Sequence, residues 1–190
     1  NEVNGAYVSD DKIFYKGKYV ADIKSLPVGG EHNVLNLLAA VCVAEIVGMT
    51  EEAICSGIKE FKGVKHRIQY VRTVNGADYY NDSKATNADA TMKAIDSMNK
   101  PTTLILGGKD KGLDFDALFR KISESLVKAV VLTGESAPRL YDSAKKIGYK
   151  NVYLANDFFV AVKLASIVAE NGEAVLLSPA CSSFDCFTDY

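Results

Sequence analysis

Tyr80-Asn81-Asp82-Ser83-Lys84-Ala85-Thr86-Asn87 follows an apolar, strand-like run and leads into a helical pattern. The octet places an acid, two hydroxyls and an ammonium on one strand-to-helix turn. Turns of that kind open onto helix N-termini, where unpaired N–H groups and the helix dipole attract anions. The turn therefore points to a ligand carrying a phosphate, a carboxylate or both.

Outward from the octet, strands and helices alternate from Ile68 onward. The strand candidates are 68–74, 77–81, 103–106, 129–132, 152–154 and 174–177, several of them short and continuously apolar. Such runs suit a parallel sheet covered on both faces. Asp114 is placed to cap a helix with Phe115, Leu118, Phe119, Ile122 and Leu126 on one face. Pro138 suits the first turn of a helix carrying Leu140, Tyr141, Ala144 and Ile147. Asp157 suits the cap of a third, with Gly172 beyond its end. The alternation predicts an α/β fold, a Rossmann-like, doubly wound, mainly parallel sheet. No G-x-G-x-x-G follows the first strand, so the dinucleotide fingerprint is missing.

Before the octet the pattern changes. Ala6-Tyr7-Val8, Ile13-Phe14-Tyr15 and Tyr19-Val20 read as a short antiparallel meander, too small to stand alone. A helix over about 33–47 is apolar nearly all round, which predicts burial, with Gly48 as its C-terminal cap. Thr50 suits the N-cap of a second helix whose core face is Ile54, Ile58 and Phe61. Residues 61–67 read as a linker. The expected division is 1–65, the tail of a domain whose larger part lies elsewhere, and 66–190, the Rossmann-like domain.

Composition narrows the function. The chain has 190 residues, 48% apolar and 24% charged, and a net charge of −2, with no electrostatic case for nucleic acid or an anionic membrane. The apolar stretch 34–47 is interrupted by Asn36 and Glu45 and is too short to span a bilayer. No signal peptide is visible. Cys42, Cys55, Cys181 and Cys186 match neither a zinc spacing nor a dense disulfide framework, so a reduced, cytoplasmic compartment is expected.

In an open parallel sheet, ligands bind beyond the carboxyl ends of the strands. Four segments fall there: 82–87, Gly107-Gly108-Lys109-Asp110-Lys111-Gly112, Thr133-Gly134-Glu135-Ser136 and Ser178-Pro179-Ala180-Cys181-Ser182-Ser183. Together they predict a pocket for a small dianion, with Lys84 and Lys111 as cations and Ser83, Thr86, Ser182 and Ser183 as hydroxyls. Plainer readings stand beside this one. Lys109 to Lys111 also suits a solvated turn, Thr86 or Asn87 a helix cap, Ser182 and Ser183 a helix start, and His66-Arg67 a basic linker. His32 has no metal-ligand spacing around it.

Gly30-Glu31-His32-Asn33-Val34-Leu35-Asn36 resembles the G-x-H-N-x-x-N segment of the Mur ligases, ATP-dependent amide-forming enzymes of peptidoglycan precursor synthesis. His66-Arg67 sits where that family has a His-Arg pair. The segments 81–87, 107–115 and 177–185 are similar to those of the D-glutamate-adding branch of the family. The resemblance implies that ATP phosphorylates the carboxylate of UDP-N-acetylmuramoyl-L-alanine. The amine of D-glutamate then attacks the acyl phosphate, and the tetrahedral intermediate loses phosphate.

It also implies roles for individual residues. Asn36 would contact adenine, Arg67 the ATP phosphates and Asp82 the ribose, with Lys84 near the transferred phosphate as the catalytic cation. Ser83, Thr86, Lys111, Ser183 and Tyr190 would serve the amino-acid substrate. A monomer is expected, with no nucleic-acid or membrane partner. The family's G-x-x-G-K-[ST] phosphate loop does not occur in this chain, and the ligands for Mg2+ are expected outside it. The chain reads as a fragment, inactive on its own. The rival readings are another Mur-type or folate polyglutamate ligase on the same scaffold, or a non-enzymatic Rossmann-type binding module.

Overall fold

The computed structural model describes residues 5–26, 31–61 and 63–188. The chain divides into two compact units, Asn1–Gly63 and Val64–Tyr190.

The first unit opens with an antiparallel meander of β1 (Ala6–Ser9), β2 (Lys12–Tyr15) and β3 (Lys18–Asp22). Two helices follow, α1 (Glu31–Ile46) and α2 (Glu51–Glu60). Thr50 caps α2 as its sequence predicts, its side chain accepting from Ala53 N at 3.3 Å. Ile13, Val20, Ala21, Val41, Ile54 and Ile58 form the core. The prediction of a buried α1 does not hold among the described residues. Val41 is buried, but Leu35, Val43 and Ile46 are exposed, Ile46 at 81%. Phe61 is likewise exposed rather than on the core face of α2. An apolar pattern states what needs covering, and this unit covers only one stripe of it.

The second unit holds a six-stranded sheet in the order β4-β5-β9-β6-β7-β8. Its strands are β4 (Gln69–Val74), β5 (Ala77–Asn81), β6 (Thr102–Gly107), β7 (Val127–Thr133), β8 (Val152–Leu154) and β9 (Ala174–Leu177). Edge strand β4 runs antiparallel to β5, and every other pairing is parallel. The helices are α3 (Ala88–Asp96), α4 (Asp116–Ser123), α5 (Ala137–Ile147) and α6 (Phe158–Val168).

Strand residues alternate between two cores, as a pleated strand requires. Leu104, Leu106, Val130, Leu132 and Leu176 pack with Phe115, Leu118, Phe119 and Ile122 on one face. Ile105, Val131 and Val175 pack with Ala161 and Ala165 of α6 on the other. The sheet is thus doubly wound and mainly parallel.

Asp157 caps α6, accepting from Val160 N at 2.9 Å, and Pro138 lies in the first turn of α5. Two details differ from expectation. Helix α4 begins at Asp116 with Phe115 in the cap position, while Asp114 Oδ1 accepts the Asp116 N–H at 2.8 Å in a short side-chain turn. Leu126 and Tyr141 are exposed, not on core faces, because Leu126 lies beyond the end of α4 and Tyr141 faces away from the Leu140–Ala144 stripe.

Candidate active site

The carboxyl ends of β5, β9, β6 and β7 open onto a cleft of about 730 Å3 within the second unit. Ser83, Lys84 and Thr86 line it from the β5–α3 turn, Gly107 and Gly108 from the end of β6, Thr133 from the end of β7, and Ser182 and Ser183 from the segment after β9. The edge predicted from strand ends is therefore one continuous surface. Its apolar floor and wall come from Ile105, Leu106, Leu177, Phe158, Phe184 and Phe187.

The β5–α3 turn is held from beneath. Asp82 is buried, its Oδ1 accepting from Ile68 N at 3.1 Å and its Oδ2 from the Ser178 hydroxyl at 2.7 Å. The same Ser178 Oγ lies 3.1 Å from Thr91 Oγ1. Ile68 has φ +45°, a conformation rare for a β-branched residue. A carboxylate accepting its N–H helps to hold it there. Lys84 N donates to His66 O at 3.1 Å. Asn81 Nδ2 contacts His66 Nδ1 at 3.1 Å, and Asn81 Oδ1 accepts from Ser83 N at 2.9 Å. His66 and Asn81 both line the cleft. Asn87, not Thr86, caps α3, accepting from Ala90 N at 2.8 Å, and this leaves Thr86 on the cleft.

The β6 end comes close to its neighbours. Gly108 has φ +142°, and a Cβ there would lie 2.3 Å from Ser182 O. Only glycine allows that approach. The Thr133 and Ser182 hydroxyls are buried without a partner among the described residues. The cleft wall thus keeps hydrogen-bonding capacity that the protein does not use itself.

Two thiols also line the cleft. Burial pushes the Cys181 thiol up, opposed by a contact with Ser136 Oγ at 3.4 Å and by the nearby charge of Lys111. Burial and then the Asp185 carboxylate push the Cys186 thiol up. Neither is activated as a thiolate nucleophile. No group of three or more His, Cys, Asp and Glu side chains placed to hold a metal ion occurs among the described residues.

The cleft gathers Ser83, Lys84, Thr86 and Ser183 of the nominated residues. Asp82 lies buried under the turn rather than on the cleft surface. Lys111 is exposed on the β6–α4 loop and does not line the cleft, although its charge reaches Cys181, which does. Arg67 is exposed next to His66 and is also outside the lining. Asn36 is exposed on α1 in the first unit. Tyr190 lies outside the described residues. Ser182 and Ser183 start no helix; Ser183 O instead accepts from Cys186 N and Phe187 N in a tight turn. The motifs do not announce Phe158 or Phe187, and Asp185, the last residue of the 177–185 segment, was given no role. Phe158 was within reach of the strand-end rule, since it directly follows the Asp157 cap.

Residues 66–181 match the Mur ligase, glutamate ligase domain. The chain belongs to the Mur ligase family. It is 40% identical over 187 residues to a UDP-N-acetylmuramoylalanine--D-glutamate ligase of Bacillus cereus, and 42% identical over 193 residues to one of a Thermoanaerobacter species. Each match covers 98% of this chain but only 41% and 42% of the relative, so the chain spans about two-fifths of the curated relatives' length.

Among solved structures, UDP-N-acetylmuramate-alanine ligase MurC from Thermotoga maritima aligns with a TM-score of 0.67 at 20% identity, over 89% of this chain and 39% of its own. Mycobacterium tuberculosis folylpolyglutamate synthase, complexed with ADP, aligns with a TM-score of 0.69 at 16% identity, over 93% and 44%. At those identities the likeness concerns the fold, which this Mur ligase domain shares with both.

Proposed function

We propose that the chain is part of an ATP-dependent ligase that joins D-glutamate to UDP-N-acetylmuramoyl-L-alanine through an acyl phosphate. The observation that carries this reading is the cleft itself, where one cation, Lys84, shares a surface with the hydroxyls of Ser83, Thr86 and Ser183. The high identity to D-glutamate ligases over nearly the whole chain supports it.

The reaction develops negative charge on a phosphoryl group and must orient an amine beside it. A lysine at the cleft mouth offers charge stabilisation, and hydroxyls fixed on short turns offer orientation. Lys84 is assigned to the transferred phosphate, and Thr86 and Ser183 to the carboxylates of D-glutamate, with Ser83 beside them. Lys111 supplies a further cation from the loop edge. Asp82 supports the turn from below, and a direct ribose contact by its carboxylate would compete with the bonds to Ile68 and Ser178. Asn36 and Arg67 are assigned to the nucleotide, and the first unit to the end of an ATP-binding domain. The described residues hold no cluster of His, Cys, Asp and Glu side chains that fits a magnesium site. The product would belong to peptidoglycan precursor synthesis in the cytoplasm.

Phosphate release by the full-length protein from ATP and UDP-N-acetylmuramoyl-L-alanine tests this reading. Release should depend on D-glutamate and be absent with L-glutamate or L-alanine. Equal release with L-glutamate added to a folate substrate would favour the folate-ligase alternative.

A further inference from the structure

Three segments meet beside the cleft: Gly108-Lys109 at the end of β6, Gly134-Glu135-Ser136 after β7, and the turn 182–187, which lines it. Asp185 joins two of them, its Oδ2 accepting the Glu135 N–H at 2.9 Å. Gly134 has φ +76°, and a Cβ there would lie 2.4 Å from that same oxygen and 2.8 Å from Gly108 N. The contact thus depends on a glycine at this point. Lys109 N donates to Ser182 O at 2.7 Å, and Ser136 N to Gly108 O at 2.9 Å. The Lys109 ammonium pairs with Glu135 at 2.6 Å.

Ser183 therefore sits on a turn held at one end by the Lys109 N–H and at the other by Asp185. The turn's own bonds, from Cys186 N and Phe187 N to Ser183 O, are local and do not tie it to the sheet. On the far side Phe187 meets Phe158 edge-on, with ring centroids 5.6 Å apart.

We propose that Asp185 is a positioning residue, latching the 182–187 turn to the β7–α5 turn so that the Ser183 hydroxyl is set for a carboxylate of the amino-acid substrate. The inference rests on the D-glutamate reading. A backbone N–H donating to a carboxylate is a charge-assisted bond, roughly twice as strong as a neutral one. Displacing a binding group by an ångström is enough to cost on the order of a hundredfold.

The test uses the full-length protein with Asp185→Ala and Asp185→Asn. KM for D-glutamate, KM for ATP and amide hydrogen exchange at Glu135 are measured together. Asp185→Ala should raise KM for D-glutamate by about tenfold, leave KM for ATP within about twofold and speed Glu135 exchange. Asp185→Asn keeps a carbonyl oxygen for the Glu135 N–H and should restore both readouts to within about threefold of the unsubstituted protein. The latch is overturned by unchanged exchange in Asp185→Ala, by both Michaelis constants rising together, or by Asp185→Asn behaving like Asp185→Ala. An unsubstituted protein with no D-glutamate-dependent phosphate release would sink the substrate reading instead, and Glu135 exchange would still decide whether the latch holds the turn.

Discussion

The β5–α3 turn and the β6–α4 loop leave the same edge of one parallel sheet, and each carries a lysine nominated for ligand binding. They deliver those lysines differently. The first is short and pinned through Asp82, which is 3% exposed and bonded to Ile68 and Ser178, so Ser83, Lys84 and Thr86 are left on the cleft. The second, residues 108–115, is longer, and its side-chain contacts are made by partly exposed groups. Asp110 accepts from Gly112 N, Lys109 pairs with Glu135, and Arg139 lies 3.8 Å from Asp110. Lys111 ends up beside the cleft rather than in it. A strand end locates the site, but a buried anchor decides which side chain faces it.

The largest effect should come from removing that anchor. Asp82→Ala leaves the Ile68 N–H without its acceptor and removes the Ser178 bond. Hydrogen bonds to charged groups are worth roughly 1.5–3 kcal/mol each, so a loss of about 3 kcal/mol is expected. Urea unfolding measures it. A midpoint within error of the unsubstituted chain would show that the turn does not need its anchor, and the contrast between the two loops would collapse.

Next in size come the two lysines, compared in the full-length protein. Lys84→Ala should lower turnover by roughly ten- to a hundredfold, in line with a charge-assisted bond, with stability inside about ±0.5 kcal/mol. Lys111→Ala should raise KM for D-glutamate by about tenfold, toward the low end of the same range because its loop is less tightly fixed, and should leave KM for ATP unchanged. Melting temperature and turnover on the same preparations separate these outcomes from a structural effect. Retained turnover with a markedly lower melting point in Lys84→Ala would make the octet a structural turn. A raised KM for ATP in Lys111→Ala would move that residue to the nucleotide.

Much of this was legible in the sequence because parallel strands covered on both faces are written as short apolar runs; Thr103 to Leu106 and Ala129 to Leu132 are unambiguous. Strand order was not legible. β9 inserts between β5 and β6, and no local pattern reports a pairing of Tyr79 with Val175 across nearly a hundred residues. The helix α1 misled because its apolar sequence states a demand for cover that the described part of its unit does not meet. In the site, the strand-end rule found Ser83, Lys84, Thr86 and Ser183. It did not separate Asp82, which lies beneath the turn, from its neighbours, since a polar residue beside a turn and one underneath it look alike until burial is known. The contacts of Asp185 and Phe187 were not legible because their partners, Glu135 N and Phe158, lie far away in the chain.

The smallest effect contrasts the two ends of β5 itself. Asp82, at the carboxyl end, is held by an N–H and a hydroxyl. Asp78, at the other end, is held by the Lys100 ammonium at 2.6 Å and by the Thr73 hydroxyl at 2.6 Å. Those two bonds, Lys100 first, keep the Asp78 carboxyl below the usual carboxylate range. A depressed folded value means that the stabilisation is present above the unfolded carboxyl's pKa, near about 3.9, and is lost as pH falls through the folded value. Partly exposed pairs of this kind contribute little, so the effect should be well below that of Asp82→Ala. Lys100→Ala should therefore unfold slightly earlier in urea than the unsubstituted chain at about pH 6, and the two midpoints should converge as pH falls through the lowered folded value. Other acid-sensitive pairs, such as Asp116 with Lys146, are common to both proteins and cancel in the difference. Parallel midpoint curves through the acid range would mean that Asp78 gains nothing from Lys100. The difference between the two ends of the strand would then rest on burial alone, not on the kind of partner.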